Sequence, residues 1–170
     1  QGGPFNFQIS LKLVSFCSLL FNRARLEVTP ALRSRLKKPG SSNIVTHPKI
    51  IAVVLNWCGE EVTTHCLRSL LNSDYPHLST LLVDNGSPDG SGERLRSSFP
   101  EVEFLQTGQN LGYTGGNNQG IKWALERNAD YVLILNNDTV LDPCAVSKLV
   151  DTAESSDQQV GGVAPKVLYY

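Results

Sequence analysis

The chain has 170 residues, of which 41% are hydrophobic and 18% charged, and a formal net charge of −1. This length and composition suit one globular domain and exclude wholesale disorder. The near-neutral balance also argues against a general nucleic-acid binder, so no nucleic-acid partner is expected. The charge is unevenly spread, however. Residues 1–49 hold eight Lys or Arg against one Glu, whereas residues 50–170 carry a net −8. Such asymmetry marks a basic arm on a separate folded unit. The expected division is a basic N-terminal extension over 1–48 and a folded domain over 49–170.

Within the extension, Ile9 to Phe21 is apolar-rich but interrupted by Ser10, Lys12, Ser15 and Ser18. It is shorter than the ~20 apolar residues of a membrane span, and no positive charge precedes it as in a secretory signal. Ile9, Leu13, Phe16 and Leu20 recur at helical spacing. With Arg23 and Arg25 following, the segment fits an amphipathic helix on an acidic membrane surface, with peripheral contact through residues 5–38. A helix packed on the domain, or a poorly ordered extension, fits as well. Pro39-Gly40-Ser41-Ser42-Asn43 reads as a linker.

From Lys49 the pattern becomes regular. Strands are expected at Lys49–Asn56, Ser79–Asp84, Val102–Thr107 and Asp130–Asn137, all apolar runs of strand length. Helices are expected at Glu60–Ser73, with Val62, Cys66, Leu67 and Leu70 on one stripe, and near Glu93–Ser98, Asn118–Arg127 and Pro143–Ser155. Pro143 suits a first helical position, and Asp142 before it suits an N-cap. The segment VGGVAPKVLYY, Val160–Tyr170, opens a further extended stretch. Strands alternating with helices predict βαβ units and a largely parallel sheet, and strands buried on both faces read as continuous apolar runs. The sequence begins with Gln, contains no Met and ends in the apolar run Val167–Tyr170, which reads as a fragment. The four cysteines form no C-x-x-C pair, so neither a zinc site nor a redox motif is indicated, and a reducing cytoplasmic setting is expected.

In open α/β sheets ligands bind beyond the carboxyl ends of the strands. All four expected ends are polar: Leu55-Asn56-Trp57, Asp84-Asn85-Gly86, the loop Gly108–Gly120, and Asn136-Asn137-Asp138. Asp84-Asn85-Gly86 has ordinary turn chemistry, but an Asp there can also accept hydrogen bonds from a base imide or a ribose hydroxyl. Asn136-Asn137-Asp138 could cap the next helix. Yet an amide and a carboxylate two residues apart in extended chain face the same side, which suits a hard divalent cation and diphosphate oxygens. Mg²⁺ is commonly held by one or two carboxylates plus substrate phosphates. The glycines give neither G-x-G-x-x-G nor a P-loop, and no G-x-S-x-G elbow is present. Asn56-Trp57-Cys58-Gly59 is not the basic, glycine-rich loop that a nucleotidyltransferase would place after its first strand.

The ordered set VVLNW, SLLNSDYP, LLVDNGSPDGS, NLGYTGGNNQGI, LILNNDT and VAPKVLYY resembles the family 2 glycosyltransferases, in particular the rhamnosyltransferase-like branch, over about Ile50 to Tyr170. The resemblance implies a GT-A fold, a Rossmann-like three-layer α/β/α domain truncated at its C-terminus. It implies transfer of a sugar from a nucleoside diphosphate (dTDP, UDP or GDP type) to a glycan or lipid-linked acceptor hydroxyl, with inversion, as in polysaccharide biosynthesis. The implied nucleotide-sugar-binding residues are Leu55, Asn56, Trp57, Asp84 (on the base), Asn85, Gly112, Asn118, Asn136 and Asn137. Asn136-Asn137-Asp138 stands at the place of the family's D-x-D, so Asp138 and Asn136 would hold Mg²⁺ or Mn²⁺. Asn136 departs from the pattern by one charge, and Cys58 stands where Asn is common. The implied catalytic base lies beyond residue 170, so the fragment alone is expected to lack transferase activity. The implied setting is the cytoplasm, at the cytoplasmic face of a membrane. A non-catalytic nucleotide-sugar-binding module of the same fold is the alternative.

Overall fold

The computed structural model describes residues 18–21, 47–155 and 161–166. In chain order the elements are β1 (Ser18–Phe21), β2 (Ile50–Asn56), α1 (Glu60–Leu71), β3 (Leu78–Asp84), α2 (Ser91–Ser98) and β4 (Glu103–Gln106). They continue with α3 (Gly112–Glu126), β5 (Tyr131–Asn136), α4 (Ala145–Glu154) and β6 (Gly162–Val163). One sheet carries the order β4-β3-β2-β5-β1-β6. The pairs β2–β3, β2–β5 and β3–β4 are parallel, while β1 is antiparallel to both β5 and β6.

The pleat sorts each central strand into two apolar faces. Ala52, Val54, Leu82, Leu133 and Leu135 pack with Cys66, Leu67 and Leu70 of α1, Leu95 of α2, and Val146, Leu149 and Val150 of α4. Ile51, Val53, Leu81, Val83, Val132 and Ile134 meet Ile121, Trp123 and Ala124 of α3. The result is the expected three layers, with α1, α2 and α4 on one face and α3 on the other. Helix α1 buries Thr63, Cys66, Leu67 and Leu70, the i, i+3, i+4, i+7 stripe of a surface helix. Val62, expected on that stripe, is one position off it and 44% exposed.

Two expectations are corrected. Ser18–Phe21 is a strand, although the run Ile9–Phe21 has helical spacing; short apolar runs do not distinguish the two states. Pairing with β5 supplies hydrogen bonds to backbone that the edge of the parallel set would leave open. The basic extension therefore contributes a strand to the sheet. The rest of that run, the following basic residues and the linker lie outside the described residues, as do residues 167–170. Among the described residues no helix is long and apolar enough to cross a membrane.

The second correction concerns α3, which begins at Gly112 and not near Asn118. Glycine is a poor helix former, so local propensity hides the first turns. Packing explains them. A Cβ on Gly116 would lie 2.4 Å from Leu55 Cδ1, and one on Gly120 would lie 2.3 Å from Val53 Cγ1. The glycines let the helix backbone rest directly on β2 and β3. Gly120→Ala is therefore expected to destabilise the domain by about 1–3 kcal/mol through overpacking, read as a lower urea midpoint with an unchanged slope.

Candidate functional site

The chain order places the site before any side chain is considered. From β2 the chain steps outward to β3 and β4, then returns across the other face to β5 on the opposite side of β2. The gap between the β2 and β5 ends is a topological switch point, where open α/β sheets form their ligand crevice. The register puts Leu55 beside Asn136, and aligns Asn56, Asp84 and Gln106 across three neighbouring strands. The polar strand ends thus converge on one edge.

Beneath the crevice is a buried hydrogen-bond network. Asn56 is fully buried. Its Nδ2 donates to Asp84 Oδ1 at 2.8 Å and to the Ser87 and Ser91 hydroxyls, both at 3.2 Å. Its Oδ1 accepts from Gly59 N and from Thr63 Oγ1. Asp84 is 1% exposed. Its carboxylate accepts from Asn56, from the Ser87 hydroxyl and N–H, and from Gln106 Nε2 at 2.8 Å. A Cβ on Gly92 would lie 2.3 Å from Asp84 Cγ, so the base of α2 also closes over this group. Here the four donors to the Asp84 carboxylate all come from the protein itself. Asn56 is likewise buried at the end of β2, bonded on both its amide N and O.

Asn85 is also buried, and it joins the glycine-rich loop to the sheet. Its Nδ2 donates to Asn110 Oδ1 and Gly112 O, and its Oδ1 accepts from Leu111 N. Gly86 allows that closeness: it has φ +71°, and a Cβ there would meet the Gln109 backbone at 2.6 Å. Asn137 donates to Thr63 Oγ1 at 2.9 Å, which ties the β5 loop to α1.

Other residues face outward. Trp57 is 54% exposed, Leu55 is half-buried, and Gly112, Asn118 and Asp138 are exposed. Asn136 is half-buried, and its Oδ1 accepts from the Tyr113 hydroxyl at 2.9 Å. Burial, and next the Asp138 charge, push the Tyr113 phenol above its ordinary range, so it is a protonated donor at neutral pH. Beside them Asn117, 5% exposed, donates to Tyr113 O and has no partner for Oδ1 among the described residues.

At the carboxyl edge of the sheet the structure therefore exposes Trp57 and Asp138 and half-buries Leu55 and Asn136, while Asn56, Asp84 and Asn85 are buried and Asn137 ties the β5 loop to α1. Sequence reasoning missed Thr63, Ser87, Gln106 and Tyr113. Ser87 and Gln106 sit at strand ends and could have been noticed there; Thr63 and Tyr113 lie on helices far along the chain. Asp142 is engaged at the entrance to α4, with Oδ1 accepting from the Cys144 thiol and N–H. Those two bonds hold its carboxyl below the usual range. A separate hollow of about 290 Å³, lined by residues including Leu70, Tyr75, Leu78 and Glu103, lies among the starts of β3 and β4, away from the polar strand ends.

An α/β/α domain with polar strand ends gathered at a switch point belongs to the nucleotide-binding class of folds. The family model described as glycosyl transferase family 2 matches residues 50–168, and the chain belongs to that family. The low-salt glycan biosynthesis hexosyltransferase Agl10 of Haloferax volcanii is 33% identical over 89 residues, covering 52% of this chain and 28% of that protein. An N-acetylglucosaminyl-diphospho-decaprenol L-rhamnosyltransferase of Mycobacterium tuberculosis is 33% identical over 109 residues, covering 59% and 35%. Among solved structures, mannosyltransferase PcManGT from Pyrobaculum calidifontis, in complex with GDP-Man and Mn²⁺, matches with a TM-score of 0.55 at 19% identity, covering 74% of this chain and 38% of that one. S. aureus TarS 1–349 in complex with UDP-GlcNAc matches with a TM-score of 0.54 at 19% identity, covering 62% and 31%. These structures establish the GT-A fold. The chain spans between 28% and 38% of the length of these four proteins.

Proposed function

We propose that this chain is the donor-binding part of a glycosyltransferase that moves a sugar from a nucleoside diphosphate to an acceptor hydroxyl, with a divalent cation and inversion at the anomeric centre. The observation that carries this reading is the set of polar strand ends aligned on one edge of the sheet, with the exposed Asp138 and the half-buried Asn136 among them. Leu55 and Trp57 offer apolar surface to a nucleoside, while Asn56, Asp84 and Asn85 hold the wall in place from beneath. Gly112 and Asn118, on the first turns of α3, border the ribose and diphosphate.

The donor set suits Mg²⁺ or Mn²⁺. Asp138 supplies a carboxylate oxygen and Asn136 an amide oxygen, both hard donors. Among the described residues there is no group of three or more His, Cys, Asp or Glu that could enclose a metal alone. Bound there, the cation would stabilise the charge that develops on the departing diphosphate.

The acceptor hydroxyl must lose a proton, which calls for a base. Asp142 is held at the entrance to α4 and is not assigned that role. The acceptor is proposed to be a glycan or a lipid-linked sugar, reached at the cytoplasmic face of a membrane; a decaprenol-linked name among the relatives supports this. Isothermal titration of the full-length protein with UDP, dTDP and GDP, each with and without Mn²⁺, tests the reading. One nucleotide should bind, and bind more tightly with Mn²⁺. Binding of none of the three sinks it.

A further inference from the structure

We infer that Thr63 is a positioning residue whose hydroxyl sets the β5 loop carrying Asp138 against the ends of β2 and β3. The inference rests on the metal role proposed for Asp138.

Thr63 lies on the first turn of α1 and is fully buried. A hydroxyl has one proton to donate and lone pairs with which to accept. Here the two functions reach different strands. The proton goes to Asn56 Oδ1 at 3.0 Å, and the oxygen accepts from Asn137 Nδ2 at 2.9 Å. Asn56 in turn donates to Asp84, whose carboxylate also accepts from Gln106. Thr63 is thus the joint where the network at the ends of β2, β3 and β4 meets the β5 loop. Asn137 directly precedes Asp138, so fixing its side chain fixes the backbone from which Asp138 projects. The bond from Thr139 N to Asn136 O closes this turn on itself but does not place it against α1. Gly59, just before α1, makes room for the arrangement: a Cβ there would lie 2.8 Å from Asn137 Nδ2. A cation held by few protein oxygens and by substrate phosphates depends on where the loop sets its carboxylate. Partners that orient metal ligands typically account for about 10–100-fold in affinity. Thr63 acts through Asn137, which points to the lower end of that range.

The test is calorimetry of the full-length protein with UDP, dTDP and GDP, each with and without Mn²⁺, read as the ratio of the two affinities. Thr63→Val keeps the branched shape and removes both bonds, so it should cut the ratio about tenfold. Thr63→Ser keeps the hydroxyl and should hold the ratio within about twofold, below the usual outer-shell range. A packing role predicts the reverse, with Ser impaired and Val intact, and that result overturns the inference. So does an equal fall in affinity with and without Mn²⁺ in Thr63→Val, which would limit the hydroxyl to bracing Asn56. Should Thr63→Val not fold, Gly59→Ala decides, since it displaces Asn137 and leaves the hydroxyl in place: a lowered ratio supports the inference and an unchanged one overturns it. If Asp138→Ala abolishes the Mn²⁺ effect while Thr63→Val keeps it, only the inference falls. If the unaltered protein shows no Mn²⁺ effect with any of the three nucleotides, the metal site itself falls, and the inference with it.

Discussion

Asp84→Ala is expected to destabilise the domain by about 3 kcal/mol, the cost of leaving several buried donors unmatched. The carboxylate is 1% exposed and accepts from Asn56, Gln106 and Ser87. Removing it leaves the buried Asn56 amide at the end of β2 only the Ser87 and Ser91 hydroxyls, both at 3.2 Å, and releases Gln106 at the end of β4, so the loss falls on three strands. Urea unfolding checks this, with a lower midpoint expected. Nucleotide affinity should fall as well, because the crevice wall loses its support. If Asp84 served mainly to meet a base, binding would weaken and the midpoint would stay in place. Asp84→Asn should cost less than Ala, since it keeps the shape and one acceptor while turning an NH₂ group toward existing donors.

Asp138→Ala should behave in the opposite way. Asp138 is exposed and accepts no hydrogen bond among the described residues, so stability should be unchanged within about 0.5 kcal/mol, as for surface substitutions. Metal-dependent nucleotide affinity should be lost, because the only carboxylate of the donor set is gone. The effect should exceed the roughly 10–100-fold typical of outer-shell changes. Calorimetry with and without Mn²⁺ separates the two contributions: the metal-free affinity should survive, and the increment due to Mn²⁺ should vanish. A variant that keeps the increment would remove Asp138 from the site.

The parts of this molecule that were legible in the sequence share a physical cause. β2, β3 and β5 are buried on both faces and parallel, so they read as unbroken apolar runs, and their polar ends stood out by contrast. Asn136 and Asp138 were singled out as candidates for that reason. The start of α3 was hidden because Gly112, Gly115 and Gly116 disfavour helix locally, while contact with Leu55 demands the small size of Gly116. β1 was hidden because Leu19-Leu20-Phe21 fits a helix or a strand until the open edge of β5 decides. Thr63 and Tyr113 carried no local signal, since each acts on a residue brought close only by the fold, Asn137 and Asn136 respectively. Asp84 stood out as a polar strand end, but its protein partners did not. Its place at a strand end is visible in sequence, whereas its four donors come from β2, β4 and the following turn.

The proposed site is tested most directly by diffraction at the manganese absorption edge, from crystals of the full-length protein grown with Mn²⁺ and whichever of UDP, dTDP or GDP binds. The expected result is one anomalous peak coordinated by Asp138 and by the nucleotide diphosphate, with the nucleoside running toward Leu55 and Trp57 at the end of β2. A nucleotide seated elsewhere, such as the hollow beside Leu70 and Glu103, or a peak remote from Asp138, would contradict it.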